Sequence, residues 1–148
     1  MKKRIFVNGI CEERMNFKEN SIYCDELKES IAENIEKILL NDENVCFITA
    51  MRQGADIYTA LEVLALKKRY PKAELHCILP FEDQADKLLE TERDRYFAII
   101  EQCDRLAFFQ KKYTDGCVEE CIDAAKKACD AELCIDIGED CNINITCK

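Results

Sequence analysis

Residues 47–56 read FITAMRQGAD, and the parsing of this stretch decides the fold. Phe47-Ile48-Thr49-Ala50 is a short, almost wholly apolar run that stops at Met51-Arg52-Gln53-Gly54. Beyond Asp56 the period changes: Ile57, Ala60, Leu61, Leu64 and Ala65 recur at steps of three and four. A short continuous apolar run predicts a strand buried on both faces, and the longer step predicts an amphipathic helix. A strand that turns directly into a helix is the unit of a parallel sheet with helices across its faces.

The alternation continues in both directions. Strands are predicted over Arg4–Gly9, Val45–Met51, Glu74–Pro80, Arg105–Gln110 and Glu132–Gly138. Cys24, Leu27, Ile31, Ile35 and Ile38 mark a helix over about Ser21–Leu40. The helix from Asp56 to Arg69 stops near Tyr70-Pro71, because a residue before proline disfavours the helical region. A third helical region lies between Glu82 and Cys103, broken near Glu90-Thr91, and Cys117, Cys121, Ile122, Ala125 and Ala128 trace a last helix over Asp115–Asp130. With right-handed crossovers the expected fold is an α/β, Rossmann-like three-layer sandwich with a mainly parallel sheet of about five strands. No repeat, linker or low-complexity segment interrupts it, so residues 1–148 are expected to form a single domain.

Composition narrows the function. A chain of 148 residues, 48% hydrophobic and 34% charged, suits a globular protein able to bury about 68–70% of its unfolded surface. No apolar run approaches the roughly 18 residues of a membrane span, and Ile5-Phe6-Val7 behind the basic Met1-Lys2-Lys3-Arg4 is too short for a signal-peptide core. A cytoplasmic protein with no membrane partner is expected. The net charge of -9 weighs against nucleic acid, whose affinity is built on neutralising phosphates. Eleven cysteines suggest disulfides, but the odd count and the ample apolar core argue for reduced thiols acting as small hydrophobes. Cys46, Cys77 and Cys134 sit in apolar runs; Cys117 and Cys121 share the apolar stripe of the last helix; Cys141 and Cys147 fall in an apparently polar tail, Glu139–Lys148. Without a Cys-x-x-Cys pair, no metal ligand is assigned. Cys11 stands where a catalytic thiol could act, but the single histidine, His76, lies inside a strand, so no catalytic residue is assigned.

Open α/β sheets bind ligands at the carboxyl ends of their strands. Those ends carry Asn8-Gly9, then Met51 to Asp56, then Pro80-Phe81-Glu82-Asp83-Gln84, then Gln110 to Tyr113. Gly54 permits a positive φ or a close backbone approach, and the helix start beyond it offers unpaired N–H groups to an anion. Arg52 adds a forked donor. Asp56 would repel phosphate there and suits hydroxyls such as those of ribose; the plainer alternative is that it caps the helix.

These segments resemble the YpsA-like family, a branch of the SLOG superfamily of Rossmann-like proteins. The family's Ser-Gly-Met-Ala-x-Gly-Val-Asp loop is matched by Thr49-Ala50-Met51-Arg52-Gln53-Gly54-Ala55-Asp56. Its Leu-Lys-Lys-x-Tyr-Pro segment is matched by Leu66-Lys67-Lys68-Arg69-Tyr70-Pro71, its Pro and Gln by Pro80 and Gln84, and its Arg-Tyr helix by Arg95-Tyr96. The likeness covers about residues 4–113, leaving 114–148 divergent. Asn8-Gly9-Ile10-Cys11 keeps the glycine of the family's first loop but not its His-Arg pair. Ala50 replaces a glycine and Arg52 a small residue, which narrows or re-aims the pocket.

The resemblance implies a nucleotide or nucleotide-derivative binding module, with Asn8, Gly9, Met51, Arg52, Gly54, Asp56, Pro80, Gln84, Arg95 and Tyr113 as the expected ligand-binding residues. No cofactor is implied. Second in rank is a non-enzymatic interaction or structural protein with a degenerate pocket. A nucleotide hydrolase of the LOG type ranks third, since its Pro-Gly-Gly-x-Gly-Thr motif has no counterpart here. The apolar helix Ile57–Leu66 offers a face for self-association, so a homo-oligomer is a possible state.

Overall fold

A computed structural model describes residues 2–148; Met1, the first residue of the basic N-terminus, lies outside them. The chain runs β1 (Lys3–Gly9), α1 (Ile22–Asn41), β2 (Val45–Thr49), α2 (Ala55–Leu66), β3 (Glu74–Leu79), α3 (Glu90–Gln102), β4 (Arg105–Phe108), α4 (Cys117–Lys127), β5 (Ala131–Ile137) and β6 (Ile143–Cys147). All six strands join one sheet in the order β4-β3-β2-β1-β5-β6, with β6 alone antiparallel. It is the expected α/β sandwich with a mostly parallel sheet.

The connections explain the layers. From β1 to β4 each strand is laid beside the last, and α1, α2 and α3 pack on one face over Ile5, Val7, Phe47, Leu75, Cys77 and Leu79. The chain then returns through α4 across the other face, over a smaller core of Phe6, Cys46, Ile48 and Ala125, and sets β5 beside β1. Strand order therefore reverses between β1 and β5, where the crevice of such a sheet opens.

Local sequence accounts for most elements. Ser21 caps α1 by accepting the Cys24 N–H at 3.3 Å, and Cys24, Leu27, Ile31, Ile35 and Leu39 form its buried stripe. α2 is apolar nearly all round because it lies between α1 and α3, as an enclosed helix must. Most of its apolar surface is thus used inside the molecule, and the self-association expected of this helix would have to rely on the exposed edges of Leu61 and Ala65. No helix among the described residues is long and apolar enough to cross a membrane.

Three expectations are corrected. Residues 82–88 form successive turns, with Gln84 N–H on the Phe81 carbonyl, Asp86 N–H on Asp83 and Leu88 N–H on Ala85, and no helix. The helix begins only at Glu90, where the Glu92 carboxylate accepts the Leu89 N–H at 3.0 Å. β4 is exposed along all four residues, being the short edge strand, whereas a strand buried on both faces was expected. The supposed polar tail holds β6, reached by a hairpin in which Gly138 N–H meets the Asn142 carbonyl at 2.8 Å and Cys141 takes a left-handed φ of 59°. Ile143 and Ile145 alternate with Asn144 and Thr146 and turn onto the main core. Cys141 is thereby a turn residue and Cys147 an exposed strand end, while Cys24, Cys46, Cys77, Cys117 and Cys121 are buried as small hydrophobes.

Candidate functional site

The loop after β2 is tied down from below. Asp56, in the first turn of α2, is buried and does not cap its own helix. Its Oδ1 accepts the Gly9 N–H at 2.9 Å; its Oδ2 accepts Arg52 Nε at 2.9 Å and the Arg52 N–H at 3.3 Å. Arg52 Nη2 donates to Asn8 Oδ1 at 3.0 Å and to the Gly9 carbonyl at 3.2 Å, and Nη1 points at Cys11 Sγ at 3.5 Å. Asn8 also donates to Glu132 Oε2 at 2.7 Å, so the knot reaches β5. Burial pushes the Asp56 carboxyl above its ordinary range, against the downward pull of Arg52 and two backbone N–H groups. Arg52 is drawn down by burial and more than restored by Asp56. The pair is ionised at neutral pH, because all the donors around Asp56 match a carboxylate.

Both glycines are explained by the chain's own approach. A Cβ on Gly9 would lie 2.7 Å from the Ala55 Cβ and 2.8 Å from Asp56 Oδ1. Gly54 has φ 114°, and its Cβ would meet the Ile10 carbonyl at 2.6 Å. The Ile10 carbonyl takes the Ala55 N–H at 3.0 Å, so the first loop occupies part of the helix start that the sequence suggested was open to an anion. Met51 sits at φ 60°, a left-handed conformation that costs a non-glycine residue about 1–2 kcal/mol. Ala50 needs no positive φ, which is why an alanine serves where a glycine was expected.

Arg52 forms a partition. On one side is a narrow cleft of about 140 Å³ at the β1/β5 reversal, lined by Asn8, Gly9, Ile10, Arg14, Cys134, Ile135 and Asp136. On the other is a cavity of about 430 Å³, bounded by Cys11, Met51, Gln53, Phe81, Gln84, Tyr96 and Tyr113, with Val118, Glu119 and Ile122 of α4. Of the two spaces beside Arg52, the second reaches the roughly 300–1,000 Å³ of small-molecule sites and the first does not. Phe81 and Tyr113 meet edge to face at 5.2 Å and separate it from an outer hollow of about 590 Å³ that carries Asp83, Asp86, Lys87 and Lys112. Gln84 is held by the Tyr96 hydroxyl, which donates to its Oε1 at 2.9 Å, and by the Ala50 carbonyl, which accepts its Nε2 at 3.2 Å.

The ten expected ligand residues are therefore divided. Met51, Arg52, Gln84 and Tyr113 line the 430 Å³ cavity, and Asn8, Gly9 and Arg52 the narrow cleft. Gly54 and Asp56 stand behind them as supports. Pro80 is buried at the end of β3 and lines none of these hollows. Arg95 also lies aside: its Nη1 binds Glu19 Oε2 at 2.6 Å and its Nη2 reaches Gln53 Oε1 at 3.4 Å, which steadies Gln53 from outside. Gln53, Tyr96 and the start of α4 are lining residues absent from the expected set. Gln53 lay in the quoted loop; the α4 residues needed the return crossover to be seen. Cys11 is half-buried, and burial raises its thiol; His76 bonds Glu74 at the amino end of β3, so no Cys–His couple forms.

This assembly is a Rossmann-like α/β protein with a side-chain-lined cavity at its strand exits, and comparison gives it a family. Residues 5–118 match the YspA SLOG family, and the chain belongs to it. A UPF0398 protein of Brevibacillus brevis is 30% identical over 115 residues, covering 76% of this chain and 61% of that protein. UPF0398 proteins of Staphylococcus aureus, in strains JH9 and COL among others, are 29% identical over 106 residues, covering 70% of this chain and 56% of theirs. The chain thus matches less than two thirds of the length of these curated relatives.

Proposed function

We propose that the protein is a binding module for a nucleotide or nucleotide derivative, held in the cavity between Arg52 and Tyr113. The observation that carries the reading is the lining itself: an aromatic wall of Phe81 and Tyr113 opposite the amide of Gln53 and the guanidinium of Arg52. An aromatic face stacks a base of any kind, worth about 1–3 kcal/mol per base. Glu13 and Glu119 at the rim accept hydroxyls and repel phosphates, and Arg52 is already neutralised by Asp56. The base and ribose accordingly occupy the cavity, with any phosphates directed to Lys87 and Lys112 in the outer hollow. The proposal treats the chain as one domain, since its six strands share a sheet, and places it in a reducing, cytoplasmic setting suited to its free thiols.

A second reading, an interaction protein whose pocket has closed, is favoured by the bonds that Arg52 makes to its own chain. The two are separated by heating the protein with nucleosides, nucleoside mono- and diphosphates, dinucleotides and ADP-ribose-like compounds. A ligand at 100 times its Kd should raise Tm by roughly 5–11 °C. It should also slow maleimide labelling of Cys11, in the cavity wall, and leave exposed Cys147 labelling at its former rate. No shift across the series favours the closed pocket; a shift without protection of Cys11 moves the ligand elsewhere.

A further inference from the structure

A second cluster of reactive side chains stands at the opposite end of the sheet. Cys46 is the second residue of β2; Glu74 and His76 are the first and third of β3. Residues two apart on a strand point to the same face, and Cys46 lies in register with Glu74, so the pleat turns all three side chains together towards the α4 side. The Cys46 thiol, a Glu74 carboxylate oxygen and a His76 ring nitrogen all lie within 4.8 Å of one another. His76 is the only histidine in the chain.

We propose that Cys46, Glu74 and His76 bind a divalent transition-metal ion of the zinc type. Thiolate, imidazole and carboxylate are the three ligand classes zinc accepts, and three protein ligands leave the fourth tetrahedral position open. Bond lengths of about 2.0–2.3 Å place the donors of such a site roughly 3.3–3.7 Å apart, so the Glu74–His76 pair, now at 2.9 Å, opens slightly, and no other pair has to close from farther than 4.8 Å. Cys129, two residues beyond α4, packs against the same small core as Cys46, which makes it or water the fourth ligand of such a site. The site is held by two neighbouring strands, so its geometry does not depend on a loop.

The plainer account is an ordinary Glu74–His76 contact, Nε2 to Oε1 at 2.9 Å, beside a core cysteine. That account leaves the Cys46 thiol with only a 4.0 Å contact to the Phe47 carbonyl. Lys2 competes for Glu74, with Nζ 3.2 Å from Oε2, but it is also held by Asn44 Oδ1 and the Lys72 carbonyl, and the oxygen facing His76 is the other one. On binding, the ion takes the place of the thiol proton, which leaves to solvent, and of the hydrogen bond between Glu74 and His76, the proton of that bond passing to the other ring nitrogen of the neutral imidazole. The cluster lies at the amino ends of β2 and β3, whereas the nucleotide cavity lies at their carboxyl ends, so neither proposal depends on the other.

The full-length chain, reduced with a phosphine and stripped of metal with a chelator, is titrated with Co²⁺ and then Zn²⁺. One equivalent of Co²⁺ should produce a thiolate-to-cobalt charge-transfer band that Zn²⁺ abolishes. Cys46→Ser should lose that band, and His76→Gln should weaken binding at least about tenfold, the lower end of what even an outer-shell partner contributes. Because His76 is partly exposed, His76→Gln keeps its fold and decides the matter even if Cys46→Ser unfolds; circular dichroism checks both. Absence of binding, or a His76→Gln titration that superimposes on the wild type, overturns the site. A full-strength band in a folded Cys46→Ser protein does the same, by giving the metal to other thiols.

Discussion

Arg52 and Tyr113 line the same cavity, yet the Arg52 side chain is 17% exposed and Tyr113 is 59% exposed. Arg52 is bonded to Asp56, Asn8 and Gly9, and its loop includes a left-handed Met51 and a glycine that admits no Cβ. Tyr113 has a single aromatic neighbour of note, Phe81, on a loop beyond the exposed edge strand. The inner wall is a structural knot that also lines a pocket; the outer wall is surface whose main chemical content is an aromatic face. The two walls should therefore respond oppositely to substitution: the inner in stability, the outer in ligand affinity.

The largest effect is expected at Asp56. Asp56→Ala leaves the Arg52 guanidinium without its partner and the Gly9 N–H without an acceptor in a buried place. Breaking a buried ion pair from one side costs about 3–5 kcal/mol, read as a lowered urea midpoint. A loss below about 1 kcal/mol would mean that the inner wall is not a knot, and the contrast would collapse. Gly54→Ala comes next. Its φ of 114° and the 2.6 Å approach of the Ile10 carbonyl call for a loss of at least about 1–3 kcal/mol; an unchanged midpoint would show the first loop free to move away from α2.

A smaller effect belongs to Glu19, which anchors Arg95 and through it Gln53. Burial pushes Glu19 up, but hydrogen bonds from Arg95 and Lys28 outweigh burial and leave the carboxyl below its ordinary value. A depressed carboxyl contributes stability that is present above about pH 4.3 and is lost as pH falls through the folded value. Solvent screening holds that contribution under about 1 kcal/mol. Glu19→Gln should flatten the acid limb of a stability–pH curve without shifting its neutral plateau by more; an acid limb identical to the wild type would remove Glu19 from the support of the wall.

How much of this could be read in the sequence follows from the range of the forces involved. β2 and α2 were legible because Phe47-Ile48 and the Ile57–Leu64 steps report burial within a few residues. The role of Asp56 was not, because its partner Gly9 is 47 residues away; locally, a carboxylate at a helix start reads as a cap or a ligand contact. β6 escaped because its two isoleucines, Ile143 and Ile145, alternate with Asn144 and Thr146 after an acidic turn, and only the adjoining edge of β5 makes them a strand. The Glu82–Leu88 turns escaped for the opposite reason, having helix-forming residues whose bonds close over three positions. The contribution of Val118, Glu119 and Ile122 to the cavity came from the return of α4 across the sheet, which no local pattern encodes.

The smallest effect on stability and the sharpest on function should fall at Tyr113. Tyr113→Ala removes an exposed ring whose main contact is the edge of Phe81, so its urea midpoint should stay within about 0.5 kcal/mol of the wild type. If the ring stacks a base, its loss costs about 1–3 kcal/mol of binding, roughly 5- to 150-fold in Kd for whichever nucleotide raises Tm. Titration calorimetry of that nucleotide against both proteins measures the ratio directly. An unchanged Kd would take the base off the outer wall and leave the cavity with the amide and guanidinium contacts of Gln53 and Arg52, too few to favour a nucleotide over other polar molecules. A fall in stability above 1 kcal/mol would instead show that the outer wall carries structure as the inner one does, and the division of labour between Arg52 and Tyr113 would have to be abandoned.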